Sequence, residues 1–255
     1  MERLPWPGGG RAPVLSSCLA SAEGRGAFAA AVHQFGGRCF VGATAGLRHA
    51  LEVGQATEAD LEALRGALPE GCELRVLSPL EEARYEYLGM RQYCSASDGM
   101  LSMGGKSMQI ARGDALYSLP FAMHIGYDVL RDSAGSWPAR IGACEALYRQ
   151  RAAREREAQD LQLDGRFVCV TDTVIPASEM GITDRDLPRD ALLRMLGERV
   201  EELRSAADER ANKSVTVHAA RVLLLLAVVE ALFAQSSSFI FRTDFCVSWP
   251  AGYLS

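Results

Sequence analysis

The chain has 255 residues, a formal net charge of −5, 48% hydrophobic and 23% charged residues. This is an ordinary soluble composition, long enough to bury one large core or two smaller ones. The acidic balance has no basic stripe to offset it, which argues against a nucleic-acid partner. The densest basic run, Arg149–Arg156, contains Glu155 and is followed by Glu157, so it reads as a solvated helix face.

In chain order, residues 1–14 are Pro/Gly-rich without an apolar core, a flexible lead-in rather than a signal peptide. Ser21–Gln34 is alanine-rich and predicted helical. Cys39–Glu52 reads as a buried strand, a turn at Thr44 and a helix starting near Gly46. Thr57 followed by Asp60 predicts a capping box for a helix reaching Leu68, ended by Pro69–Gly71. A strand at Arg75–Ser78 runs into a helix that opens with Glu81 and Glu82 and reaches Met90.

Gly99–Gly113, GMLSMGGKSMQIARG, predicts a hairpin: two strands about Gly104 and Gly105, with Met100, Met103, Met108 and Ile110 on one buried face. Successive amides in such a glycine turn can form an anion-binding nest, while an ordinary glycine hairpin has the same sequence. A third antiparallel strand, Ala115–Phe121, follows. Helices at Pro138–Leu161, Arg189–Arg210 and Ser214–Ala234 alternate with strands at Phe167–Thr171 and Phe239–Arg242. Val222–Ala234 is short for a bilayer and contains Glu230, so a buried core helix is expected and no membrane span. The seven cysteines form no CxxC pair, and neither a zinc site nor a disulfide framework is indicated. The four histidines show no ligand spacing, so no metal-binding residue is assigned.

Four stretches, Cys39–Glu52, Arg75–Met90, Gly99–Gly113 and Phe245–Ser255, resemble in order and spacing the apyrase (ectonucleoside triphosphate diphosphohydrolase) family. SMGGKSMQ is similar to that family's D-L-G-G-A-S-T-Q, and SWPAGYL to its W-x-L-G-Y-x-L. The EEARYEYLGM string, with SLPFAMHIG after the hairpin, resembles as much the related exopolyphosphatase and guanosine-pentaphosphatase branch. The resemblance implies an α/β chain of the actin-like ATPase (ribonuclease H-like) fold: residues 15–96 a remnant of a first lobe, 97–255 a nearly complete second lobe. The first-lobe phosphate hairpin has no counterpart before Gly36, and the chain stops where the family's final helix begins. A fragment or abridged gene model is therefore expected. An exposed first-lobe face near Cys39–Val41 and Trp249–Leu254 would then favour self-association.

Carried over by motif, Glu82 takes the position of the base and Thr44 lies near the attacking water. Ser107 contacts phosphate and Gln109 positions water. Gly104, Gly105 and Lys106 form the phosphate loop, and Trp249 lies by the metal's water shell. Each residue also has a structural reading: Glu82 against a helix dipole, Thr44 as a helix cap, Trp249 in a core. The family cofactor is Ca²⁺ or Mg²⁺, but Ser102 stands where an Asp helps hold that ion. Asp98, four residues earlier, is about 13 Å away along a strand and cannot substitute. Lys106 either supplies charge to phosphate partly in place of the metal or blocks the pocket. The resemblance implies hydrolysis of nucleoside di- and triphosphates, impaired in this chain. A polyphosphate or guanosine-pentaphosphate phosphohydrolase and a non-catalytic phosphate-binding module are the alternatives.

Overall fold

The structure is a computed structural model and describes residues 15–34, 39–95, 98–206 and 212–243. The chain divides into two compact units, Met1–Glu82 and Ala83–Ser255. The first contains α1 (Leu15–Leu19), α2 (Ala22–His33), β1 (Cys39–Ala43), α3 (Ala45–Glu52), α4 (Glu58–Ala67), β2 (Cys72–Val76) and the first turn of α5 (Pro79–Arg91). The second holds the rest of α5, then β3 (Gly99–Met103), β4 (Met108–Arg112), β5 (Ala115–Leu119), α6 (Met123–Asp132), α7 (Trp137–Gln159) and β6 (Arg166–Thr171). It continues with α8 (Val174–Glu179), β7 (Asp186–Pro188), α9 (Arg189–Ser205), α10 (Lys213–Leu232) and β8 (Ser238–Phe241).

In the first unit, β1 and β2 pair in parallel, with Cys39 opposite Cys72 and Ala43 opposite Val76. Their core joins Leu47 of α3, Leu61 and Leu64 of α4, Phe28 and Val32 of α2, and Leu74 of β2. The Thr57 capping box forms as expected: the Asp60 amide donates to Thr57 Oγ1 (3.2 Å) and the Thr57 amide to Asp60 Oδ2 (3.0 Å). Asp60 also accepts from Arg25 at 2.6 Å, tying α4 to α2. One expectation is overturned here. Cys39 and Cys72 form a disulfide across the parallel pair, with Cα atoms 4.5 Å apart. Their 33-residue separation hides a pairing that only the strand register creates. Cys18, Cys144 and Cys169 are free thiols. Burial pushes the Cys144 and Cys169 thiols up, so both act as small hydrophobes rather than nucleophiles.

The second unit is built on a six-stranded sheet in the order β5-β4-β3-β6-β8-β7. β3, β6 and β8 run parallel, β4 and β5 continue as the expected antiparallel meander, and β7 is antiparallel to β8. Leu101, Met103, Met108, Ile110, Phe167, Cys169, Phe239 and Phe241 face one core together with α6, α7, α9 and α10. Met100, Ala111, Val168 and Val170 point the other way, onto Tyr87 and Met90 of α5. Met100 is therefore not on the face of Met103, and the hairpin is buried on both sides. A sheet covered by helices on both faces gives continuous apolar strands rather than alternation.

Helix α10 has 20 residues and is long and apolar enough to cross a membrane, more than its Val222–Ala234 stretch suggests. Its most apolar window is nevertheless 72% buried inside the unit, in keeping with a core helix. Glu230 near its end is exposed and accepts from Arg149 of α7 at 2.9 Å. Helix α6 was not foreseen: Pro120 ends β5, and the chain turns at once into a helix that carries His124 and Gly126.

Candidate functional site

The candidate residues fall in both units, and each group stands on its own geometry. In the first unit, β1 delivers Thr44 to the N-cap of α3. Its side chain makes no capping hydrogen bond, so its helix-capping reading does not hold. The Glu82 carboxylate does that work, accepting from the Ala45 backbone and from Arg48 Nη2 at 2.9 Å. Arg48 Nη1 donates to Leu77 O at 2.5 Å, and the Leu77 amide donates to Ala43 O at 2.8 Å. The ends of both strands, the start of α3 and the start of α5 thus form one knot, with Glu82 bonded to the residue that follows Thr44.

The neighbouring glutamates divide their tasks cleanly. Glu81 closes a box with Ser78, accepting from its amide at 2.8 Å and pairing with Arg75 at 2.6 Å. Those Ser78 hydrogen bonds hold its carboxyl below the usual range. Glu82 is buried, and burial raises its carboxyl while Arg48 pulls the other way. Of the two, Glu82 is the one whose carboxyl burial pushes upward, the direction a general base needs. Arg48 itself was not singled out in the sequence. The signal was its place one helical turn after Thr44, on the same face of α3.

In the second unit, Gly104–Ser107 makes the tight turn between β3 and β4, the Gly104 amide donating to Ser107 O at 2.9 Å. Neither glycine has a left-handed φ. Close approach is the requirement instead, because a Cβ on Gly105 would lie 2.8 Å from His124 Nε2. Helix α6 starts against this turn, the His124 amide donating to Gly105 O at 2.9 Å. Gln109 and Ser107 are both buried, and Gln109 Nε2 donates to Ser107 Oγ at 2.7 Å. Ser107 and Gln109 therefore do share one side of the strand.

Next to the turn, Thr171 ends β6 with φ +59, a conformation that a β-branched residue rarely adopts. Its hydroxyl explains the position. Thr171 Oγ1 accepts from the Met103 amide (3.1 Å) and lies 3.0 Å from Ser102 Oγ, so the ends of β3 and β6 are locked together. Thr171→Ala keeps the strained backbone and loses these bonds, and should cost about 1–3 kcal/mol. Thr171→Gly should recover about 1 kcal/mol of that by relieving φ. Urea denaturation of the two variants checks the order, and a less stable glycine variant would show the strain to be absent.

The divalent ion implied by the resemblance does not fit these residues. Calcium and magnesium need several hard oxygen ligands including carboxylates. Among the described residues no cluster of three or more His, Cys, Asp or Glu could hold a metal. Asp98 sits at the far end of β3, held by Arg166 through two hydrogen bonds of 2.9 and 2.8 Å. Asp172 pairs with Arg221 at 2.8 Å, and Ser102 is tied to Thr171. Trp249 and the rest of its WPAGYL motif lie outside the described residues.

The second unit, with its glycine turn at the carboxyl end of a parallel strand, and the chain as a whole have the actin-like ATPase fold. Solved structures bear this out across most of the chain. A Ppx/GppA family member from Aquifex aeolicus superposes with a TM-score of 0.59 at 17% identity, covering 94% of this chain and 79% of that one. An exopolyphosphatase from Cytophaga hutchinsonii gives 0.58 at 14% identity, covering 91% and 78%. A protein described as exopolyphosphatase-like gives 0.56 at 14% identity, covering 93% and 83%. No family model and no curated protein matches the sequence. At these identities the likeness establishes the fold. It gives no support to the apyrase family, which is a different branch of the same fold.

Proposed function

We propose that this chain acts on phosphate chains, as an exopolyphosphatase- or guanosine-pentaphosphatase-type phosphohydrolase. The observation that supports this most is the likeness of fold, over more than nine-tenths of the chain, to proteins described as Ppx/GppA and exopolyphosphatase. It replaces hydrolysis of nucleoside di- and triphosphates as the main reading. In the proposed reaction water attacks the terminal phosphorus, the bond to the bridging oxygen breaks, and a chain shorter by one phosphate leaves. Glu82 accepts the water proton with Thr44 beside it. Ser107 contacts the phosphate, Gln109 orients the water, and the Gly104–Lys106 turn cradles the anion.

A second reading, binding without turnover, is favoured by one observation: among the described residues no group of three or more His, Cys, Asp or Glu that could hold a metal lies at the glycine turn. Losing that charge should cost orders of magnitude in rate. Phosphate release from polyphosphate, guanosine pentaphosphate, ATP and ADP, each with Mg²⁺, Ca²⁺ or EDTA, tests both. The expected result is release from the first two substrates at well below the ordinary enzymatic rate of about 10 per second. Preference for ATP and ADP would reinstate the apyrase reading, and binding without release would establish the second. Because burial raises Glu82, the acid limb of the rate profile should lie above the usual carboxylate range, activity falling as Glu82 protonates. Glu82→Gln should remove that limb together with the activity.

A further inference from the structure

We propose that the β3–β4 turn takes a terminal phosphate group on protein cations, Lys106 and His124, without a divalent ion. This rests on the phosphate-chain reading above and adds to it how the anion's charge is met. The donors around the turn are an ammonium, an imidazole, hydroxyls and an amide, a set suited to an anion and not to a hard cation. The two carboxylates that face His124 have partners of their own: Asp172 pairs with Arg221 at 2.8 Å and Asp128 with Arg131 at 3.1 Å. Lys106, at the tip of the turn, pairs with no carboxylate among the described residues. Its ammonium is therefore available to an anion at the turn.

His124 is the second component. It is exposed, its imidazole lies over Gly105, where a Cβ would come within 2.8 Å of Nε2, and its amide donates to the Gly105 carbonyl. The backbone of the turn and the start of α6 are thus joined, with the imidazole over the turn. The charged groups facing His124 are Lys106, Asp128, Asp172 and Lys213. Packing against the turn, and then Lys106, hold its imidazole below the usual histidine range, so it is neutral at neutral pH. A phosphate dianion seated between Lys106 and His124 would reverse that balance and draw a proton onto the ring. Binding should accordingly be indifferent to chelators and should tighten on acidification.

The experiment is titration of the full chain with linear inorganic polyphosphate, by calorimetry, in Mg²⁺ and in EDTA, at about pH 7.5 and about pH 5.5. Wild type should bind equally with and without Mg²⁺, and more tightly at the lower pH. Lys106→Met should weaken binding about 10- to 100-fold, the loss of one charge-assisted hydrogen bond. His124→Gln should weaken binding and abolish its gain at the lower pH. Matching far-UV circular dichroism checks that both variants fold. Binding that requires Mg²⁺, or that Lys106→Met leaves unchanged, overturns the proposal while the phosphate-chain reading stands. Absence of polyphosphate binding under every condition overturns both.

Discussion

Replacing Arg48 by methionine is expected to destabilise the protein by about 3–5 kcal/mol at about pH 8, the cost of leaving one member of a buried ion pair without its partner. The side chains of Arg48 and Glu82 are only 16% and 9% exposed, so solvent offers little compensation. Burial already raises Glu82, and Arg48 opposes that rise through its hydrogen bond and its charge. Without Arg48 the carboxyl moves further up. The sign of the pH dependence follows. A group whose folded pKa is raised favours the folded state when protonated, so the loss should be largest above that pKa and shrink toward about pH 5. Part of the loss should persist at every pH, because Arg48 also donates to Leu77 O. The double variant Arg48→Met, Glu82→Gln should recover most of the pH-dependent part. Urea melts at the two pH values are the measurement. Equal losses at both, with no recovery in the double variant, would mean that Glu82 is not what Arg48 holds.

That ion pair marks the limit of what the sequence alone could reveal. The capping box at Thr57 and Asp60 was legible because it is a local pattern with one solution, and so was the glycine turn at Gly104–Ser107. The α10 helix was legible because its run of apolar residues leaves only burial in protein or in lipid. The hidden features all depend on partners far away in the chain. Cys39 meets Cys72 only because β1 and β2 pair in parallel, and Thr171 meets Ser102 only because β6 lies beside β3. The two faces of the hairpin were misjudged for the same reason. Met100 and Met103 are both apolar, and nothing in GMLSM says that a helix waits on each side. Glu81 and Glu82 were separable only by the motif alignment, whereas the structure separates them by physics: one closes the Ser78 box and the other is buried on Arg48. His124 lay inside a string read for its resemblance, and its contact with Gly105 follows from a helix that the pattern did not announce.

Gly126→Ala should be among the most damaging small substitutions in the second unit. A Cβ built on Gly126 lies 2.2 Å from Tyr148 Oη and 2.5 Å from two of its ring carbons. Tyr148 is fully buried on α7 and has no room to withdraw. Its hydroxyl accepts from the Gly126 amide at 3.0 Å and lies 3.1 Å from the carbonyls of Ala122 and Met123, so the contact also anchors the first turn of α6. The methyl group must push α6 off α7, while α10 packs against both. Overpacking of about 1–3 kcal/mol, together with a buried hydroxyl losing its partners, gives an expected loss of about 3–5 kcal/mol. That corresponds to a fall in melting temperature of about 6–20 °C for a chain of this size. Two other helical glycines provide the control. Gly142 in α7 and Gly197 in α9 have open space where a Cβ would go, and alanine there should stabilise by about 0.5–1 kcal/mol. The effect of Gly126→Ala should also reach the turn, because His124 stands two residues before Gly126 and its amide holds Gly105 O. Polyphosphate binding should therefore weaken in this variant even at temperatures where it remains folded. Calorimetric melting of the three alanine variants decides the matter: a Gly126→Ala protein as stable as the other two would mean that α6 does not pack on Tyr148 at all.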